Sequence, residues 1–166
     1  MKKVFIVMLV LGVFCLVTNA FAEKADDLRV LMRDARGAIT AMAAEDAVNF
    51  CDEALKLDPS FAEAYANRAE AKGMLKDLDG AMADAKKAIE LTPDAKEINP
   101  AYYVRAILSL DYAAEAEKAL EFINKAIELK GDEPLYYDIR AEIHEKMGNT
   151  ELAEADRDKA ASINQQ

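Results

Sequence analysis

Gly80-Ala-Met-Ala-Asp-Ala-Lys-Lys-Ala-Ile-Glu-Leu-Thr-Pro93 decides the fold of this chain, because the chain contains it again. Asp46-Ala-Val-Asn-Phe-Cys-Asp-Glu-Ala-Leu-Lys-Leu-Asp-Pro59 precedes it, and Lys118-Ala-Leu-Glu-Phe-Ile-Asn-Lys-Ala-Ile-Glu-Leu-Lys-Gly131 follows. A worn fourth copy is Leu152-Ala-Glu-Ala-Asp-Arg-Asp-Lys-Ala-Ala-Ser-Ile-Asn164. The aligned starts lie 34, 38 and 34 residues apart. A fixed period of this size marks an array of like units, each too small to bury its own apolar face. Within each copy the apolar residues fall at helical spacing, as at Ala81, Ala85, Ala88 and Ile89, which predicts one amphipathic helix per copy.

A second helix precedes each copy. Ala64-Tyr-Ala-Asn-Arg-Ala-Glu-Ala-Lys72 and Tyr136-Tyr-Asp-Ile-Arg-Ala-Glu-Ile-His144 match one another closely. Short polar stretches separate the two helices of a unit, clearest in Lys76-Asp77-Leu78-Asp79-Gly80 and Gly148-Asn149-Thr150-Glu151. They supply Gly, Asn and Asp where the backbone reverses and a new helix starts. Two alanine columns are filled in all four units: Ala47, Ala81, Ala119, Ala153 and Ala54, Ala88, Ala126, Ala160. A third, in the first helices, holds Ala35, Ala69 and Ala141, with Ile107 departing. An aromatic column reads Tyr65, Tyr103 and Tyr137, with Leu31 in the first unit, and a proline closes the second helix at Pro59 and Pro93.

This pattern resembles the tetratricopeptide repeat (TPR) from about Leu28 to the C-terminus. The resemblance implies an all-α, right-handed α-α superhelix, or solenoid, of four helix hairpins. The units are expected at about 28–61, 62–95, 100–133 and 134–166, with a connector at 96–99 inside the proline-bounded stretch Thr92 to Pro100. Alanines recur because two helices that approach to about 8–10 Å leave no room for bulk at the crossing. The last helix carries Arg157 and Ala161 where inner units have larger or more apolar residues, as a terminal unit with a solvent-facing outer side requires. The first unit is the least regular, with Arg29, Arg33, Asp34 and Arg36.

The N-terminus reads as a Sec-type signal peptide over residues 1–22. Met1-Lys2-Lys3 is positive, Val4 to Val17 is uncharged and apolar, and Ala20-Phe21-Ala22 is a small-x-small cleavage pattern. The apolar run of 14 residues falls short of the roughly 18–20 that span a bilayer, so no stable membrane insertion is expected after cleavage. Cys15 follows Phe14 rather than a small residue, which argues against a lipoprotein. Residues 23–166 then form an exported protein, periplasmic or secreted. Cleavage removes two lysines and no acid, taking the net charge from −10 to −12. Such a chain repels nucleic acid and anionic membrane surfaces. Cys51 is the one cysteine left, so no intramolecular disulfide forms, and its spacing with Val48, Ala54 and Leu55 places it in the core.

The residues offer no route to catalysis. One histidine, His144, is expected as a packed or rim residue, and no nucleophile turn or base partner accompanies it. No Gly-rich phosphate loop occurs, and Cys and His are too few for a zinc site. Asp77-Leu-Asp79-Gly80 lacks the later ligands of a calcium loop and reads as a turn with a helix cap. Neither cofactor nor metal is expected.

Function is therefore expected in a surface. The resemblance implies that the first helices of successive units line a concave groove for a peptide or protein segment. Alignment assigns Arg29, Met32, Arg33 and Arg36 to its first zone, Asn67, Glu70, Val104, Arg105, Leu108 and Tyr112 to its middle, and Asp138, Glu142 and Glu145 to its last. The groove is thus expected to run from basic through mixed apolar to acidic, a polarity that would orient a ligand. Members of the family that clamp a C-terminal carboxylate use Lys, Asn and Arg at set columns. Asn67 and Arg105 match such columns, but Met32, Arg36 and Ala101 do not, so that clamp is rejected. The expectation is a non-enzymatic adaptor, scaffold or assembly factor, monomeric or weakly homo-oligomeric. The alternative is a self-associating structural protein of the cell envelope, which the polar last helix disfavours.

Overall fold

The computed structural model describes the backbone of residues 2–112 and 115–165, and the side chains of residues 18, 20–110 and 115–165. The side chains of most of the expected signal peptide therefore lie outside the described residues. Among the described residues there are eight α-helices and no strand. The helices are α1 (Lys2–Thr40), α2 (Ala44–Leu57), α3 (Ala62–Met74), α4 (Leu78–Leu91), α5 (Asn99–Tyr112), α6 (Ala116–Leu129), α7 (Pro134–Lys146) and α8 (Thr150–Ile163), with a 3-10 turn at Lys96–Ile98. Consecutive helices pair as hairpins, and each hairpin packs on the next. The first helices also touch directly, α1 on α3, α3 on α5 and α5 on α7. The result is the right-handed α-α solenoid expected of the repeat pattern. Among the described residues no helix is long and apolar enough to cross a membrane.

The alanine columns form the core of the stack. Ala47, Ala81, Ala119 and Ala153 are wholly buried, as are Ala54, Ala88 and Ala126, and Ala160 keeps 3% exposure. Larger residues fill the spaces beside these crossings, with Met32, Ile98, Ile123 and Ile143 all fully buried. Cys51 is buried with Leu28, Met32 and Ala54, and burial, opposed by Arg68, pushes its thiol pKa up to about 12.

Unit three starts one residue earlier than the sequence pattern places it. Three tyrosines, each near the start of a first helix, donate to a carbonyl at the exit of the preceding helix: Tyr65 to Pro59, Tyr102 to Pro93 at 3.0 Å, and Tyr137 to Gly131 at 3.0 Å. Tyr102, not Tyr103, therefore belongs to the aromatic column. The same shift puts Ala106, wholly buried, in the small-residue column where the sequence alignment has Ile107. The inserted residues before α5 are also more ordered than a connector. They form the 3-10 turn, whose Ile98 is wholly buried and which packs on α3 and α5.

A repeated tie joins the units behind the tyrosines. Arg68 Nε and Nη2 donate to the Asp84 carboxylate at 2.8 and 2.7 Å, and Arg68 also pairs with Asp52 of α2. Arg140 repeats this with Asp156 at 2.8 and 2.6 Å and reaches back to Asn124 at 2.8 Å. Each guanidinium lies 5.4 Å from the centroid of its tyrosine, Tyr65 or Tyr137. In unit three the acid is replaced by Phe122. Arg105 stacks on that ring at 4.6 Å, with its buried Nε lacking a hydrogen bond.

The reversals within hairpins use the left-handed conformation at Met42 (φ 60°), Lys76 (φ 64°) and Gly148 (φ 79°). Each is followed by a residue whose N–H reaches back to the helix it has left: Ala43 to Ala38, Asp77 to Lys72 and Asn149 to His144. Gly80, expected in a turn, instead lies in α4. Its N–H donates to the Asp77 carboxylate at 3.0 Å, and a Cβ there would collide with that carboxylate. The terminal helix exposes Arg157, which pairs with Glu145 at 2.6 Å, and Leu152.

These local geometries set the expected cost of four substitutions. Lys76→Gly should stabilise the fold by about 1 kcal/mol and Gly148→Ala should destabilise it by about as much, because only glycine adopts positive φ without a Cβ penalty. Urea unfolding midpoints check both. Arg68→Ala should cost about 2 kcal/mol by removing two charged hydrogen bonds from buried Asp84 and leaving it Lys72 alone, at 2.8 Å, whereas Arg105→Ala, which loses a stacking contact, should cost about 1 kcal/mol. Equal losses in the two variants would show that the Asp84 tie is not special.

Candidate functional site

The concave side of the stack holds a cleft of about 400 Å³. Its walls are Arg36, Ile39 and Thr40 of α1, Asn67 and Glu70 of α3, and two inter-unit segments. Those segments contribute Glu97, Asn99 and Pro100 ahead of and into α5, and Lys130, Glu133, Leu135 and Tyr136 ahead of and into α7. A second recess of about 310 Å³ adjoins it between α3 and α5. Glu70 lines both cavities, and Met74, Leu78, Tyr103, Ile107 and Leu108 make the second one largely apolar.

Hydrogen bonds and ion pairs fix most of the polar wall. Arg36 pairs with Glu63 across the α1–α3 boundary, and Lys130 pairs with Glu133 at 2.7 Å. The Tyr136 hydroxyl donates to Asn99 Oδ1, and Asn99 Nδ2 donates to the Lys96 carbonyl at 2.6 Å. The rings of Tyr103 and Tyr136 lie 5.4 Å apart. Asn67 Nδ2 approaches Met32 Sδ at 3.5 Å, a weak contact.

Glu70 stands apart from this network. Among the described residues it has neither a hydrogen bond nor an ion pair. Burial raises its pKa to about 7, with the Glu133 charge adding to the shift and Lys130 opposing it. Burial also raises Glu63, against the pull of Arg36 and with a push from Glu97. The tyrosines respond to the same field. Tyr103 is pushed up to about 12 by burial and then by Glu70 and Glu133, and Tyr136 is raised by the same causes.

The structure distributes the residues assigned to the groove from sequence unevenly. Arg36, Asn67 and Glu70 line the cleft, and Val104 and Leu108 line the recess beside Glu70. Met32 is 1% exposed and lies beneath Asn67 rather than on the surface. Arg29 and Arg33 are exposed but pair locally, with Asp26 at 2.6 Å and Asp34 at 2.9 Å. Arg105 is turned away from the groove onto Phe122, a consequence of the register of unit three, which gives its groove position to Val104. Asp138, Glu142 and Glu145 are exposed and line neither cavity. Glu142 pairs with Lys146 at 3.5 Å and Glu145 with Arg157. The side chain of Tyr112 lies outside the described residues. Local pairing thus offsets Arg29, Arg33, Glu142 and Glu145, whereas Asp138 has no ion pair among the described residues.

Sequence reasoning missed Ile39, Thr40, Glu97, Asn99, Lys130, Glu133, Leu135 and Tyr136. The first two share a helix face with Arg36, at the i+3 and i+4 spacings that were available to find them. The others come from inter-unit segments, which the repeat pattern treats as spacers. His144 is buried, with Nε2 3.9 Å from Asp156 Oδ2 and Nδ1 unpaired. Among the described residues no group of three His, Cys, Asp or Glu side chains is placed to hold a metal ion.

A stack of helix hairpins with a walled concave cleft defines an α-α repeat protein. The tetratricopeptide repeat family model matches residues 62–95, the second unit. The chain is 36% identical over 116 residues to small glutamine-rich tetratricopeptide repeat-containing protein 2 of Saccharomyces cerevisiae, covering 66% of this chain and 30% of the yeast protein. A thermophilic TPR protein from Thermus thermophilus superposes with a TM-score of 0.65 at 22% identity, covering 87% of this chain and 78% of that one. The first TPR of Spaghetti (RPAP3), solved with an HSP90 peptide, gives 0.58 at 19% identity, covering 74% and 94%. The chain is a tetratricopeptide repeat protein. It spans 19% to 30% of the length of the curated relatives it matches.

Glu70 provides a pH test of this geometry. A carboxyl whose pKa is raised on folding, here from 4.5 to about 7, binds more protons folded than unfolded, so stability falls as pH rises through that window. Glu70→Gln should therefore raise stability at pH 8 by on the order of 2 kcal/mol and leave it unchanged near pH 4. A carbon-13 titration of the Glu70 side chain should show a midpoint near 7. A midpoint in the usual carboxylate range would show that the cleft is fully hydrated at this point.

Proposed function

We propose that this chain is a non-catalytic protein-interaction module that works outside the bacterial cytoplasm, holding a partner segment in the concave cleft. The carrying observation is the cleft of about 400 Å³ between α1, α3 and the segments leading into α5 and α7. It is open and built from four elements, which suits an extended segment rather than a small molecule enclosed on all sides. One of the similar tetratricopeptide repeat domains was solved with a bound HSP90 peptide, which supports the reading at the level of class. Export is proposed from the positive start, apolar run and Ala20-Phe21-Ala22 pattern of the first residues. An acidic surface disfavours nucleic acid as the partner.

The test is an affinity capture from envelope extract, comparing the unaltered protein with the double variant Arg36→Glu, Leu135→Arg. Both positions line the cleft, and both side chains are exposed enough for the fold to survive the change. The double variant should lose the captured proteins while its far-ultraviolet circular dichroism stays the same. The protein recovered from the envelope should begin at Glu23. Capture of the same proteins by both versions would place binding on another surface.

A further inference from the structure

We infer that the cleft accepts a partner segment through one cationic side chain, lysine or arginine, anchored at Glu70 and flanked by apolar residues. This rests on the groove reading above and specifies the chemistry of its ligand.

The geometry points to a cation at one place. Glu70 stands where the cleft meets the apolar recess. A lysine or arginine stem laid over Tyr103, Ile107 and Leu108 would bring its charged end to the Glu70 carboxylate, apolar stem and polar tip each meeting their own kind. The charges lining the cleft itself disfavour the opposite ligand, and the one cation of the recess, Lys76 of the α3–α4 turn, is not among the charges that shift Glu70. The two cations of the cleft, Arg36 and Lys130, are engaged by Glu63 and Glu133. Arg105, the cation that the sequence offered for an anionic group, is stacked on Phe122. Glu70 and Glu97 are left with no ion pair among the described residues. A carboxylate held without a partner beside Glu133 costs the empty protein free energy that a ligand cation recovers.

Affinity should therefore depend on pH. The titratable groups that share the two cavities with Glu70 are Glu133 and Lys130 ahead of α7, Tyr136 on α7, Tyr103 on α5, Arg36 on α1, Glu97 in the 3-10 turn and Lys76 in the α3–α4 turn. In the empty protein Glu70 is mostly protonated below pH 7, and a cation gains little from a neutral carboxyl.

The probe is a membrane array of acetylated heptapeptides, Ala-Leu-Ala-X-Ala-Leu-Ala, in which X is lysine, arginine, citrulline or glutamate. It is read with the folded full chain, with Glu70→Gln and with Leu135→Arg. Lysine and arginine peptides should be retained at least about tenfold above citrulline and glutamate at pH 8, and about tenfold less strongly at pH 6. Glu70→Gln, which should fold at least as stably as the parent, should abolish the preference, and Leu135→Arg should reduce capture of every peptide. Equal retention of all four peptides, lost in Leu135→Arg, would overturn the cation inference and leave the groove reading standing. A preference that survives Glu70→Gln, or no retention at all, would also overturn it. The envelope capture decides the groove reading separately.

Discussion

Close approach of helices at alanine is the constraint on which the rest of this structure depends. Every hairpin and every hairpin-to-hairpin junction passes through a residue with essentially no exposed surface, and at three columns that residue is alanine in all four units. A methyl group contributes little apolar area, so these crossings are not strong by themselves. They admit the neighbours close enough for longer-range ties to reach. Arg68 spans α2, α3 and α4, and Arg140 spans α6, α7 and α8. The tyrosine bonds to Pro59, Pro93 and Gly131 set the angle at which each unit enters. A solenoid has no distant contacts to compensate for a bad junction, so each of these is needed locally.

The ties alternate along the stack. Units two and four carry the Arg–Asp bridge, whereas in unit three Phe122 takes the place of the acid. A stacked arginine satisfies fewer donors than a bidentate one, and Arg105 keeps an unpaired Nε. Unit three is also the unit that follows the inserted 3-10 turn. Its first helix is held instead by wholly buried Ile98 and by Tyr136 reaching Asn99 from the next unit. The insertion thus exchanges one kind of junction for another, and in doing so carries Glu97, Asn99 and Pro100 into the cleft wall.

That exchange explains how far the sequence could be read. The helices, their pairing and the buried alanines follow from periodicity, because a filled column survives small errors in alignment. The register of unit three did not follow. Consecutive tyrosines at Tyr102-Tyr103 and consecutive small or apolar residues at Ala106-Ile107 fit the columns in either of two alignments. A slip of one residue turns a helix by about 100°. That was enough to put Arg105 in the groove and hide Ala106, although the fold class was unaffected. Site residues are sensitive to rotation in a way that fold class is not. The segments before α5 and α7 were illegible for a different reason: they belong to no column, and only the packing of Ile98 and Tyr136 brings them over the concave face.

The field inside the cleft was hidden for a third reason. A list of charged residues counts Arg36, Lys130, Glu63 and Glu133 as four contributors, yet they sit in the structure as two pairs. Arg29 and Arg33 of α1, and Glu142 and Glu145 of the last unit, likewise pair with near neighbours. What remains is set by the groups that pairing leaves over, and in the cleft these are acidic. Glu70 is the clearest of them, since burial acts on it and no ion pair answers. The folded chain carries its charged form at a cost in free energy. Packing offers no reason for the cost: Glu70 lines open space on both sides rather than filling a gap. A residue that weakens the fold and faces two cavities is better explained by what enters them than by what surrounds it.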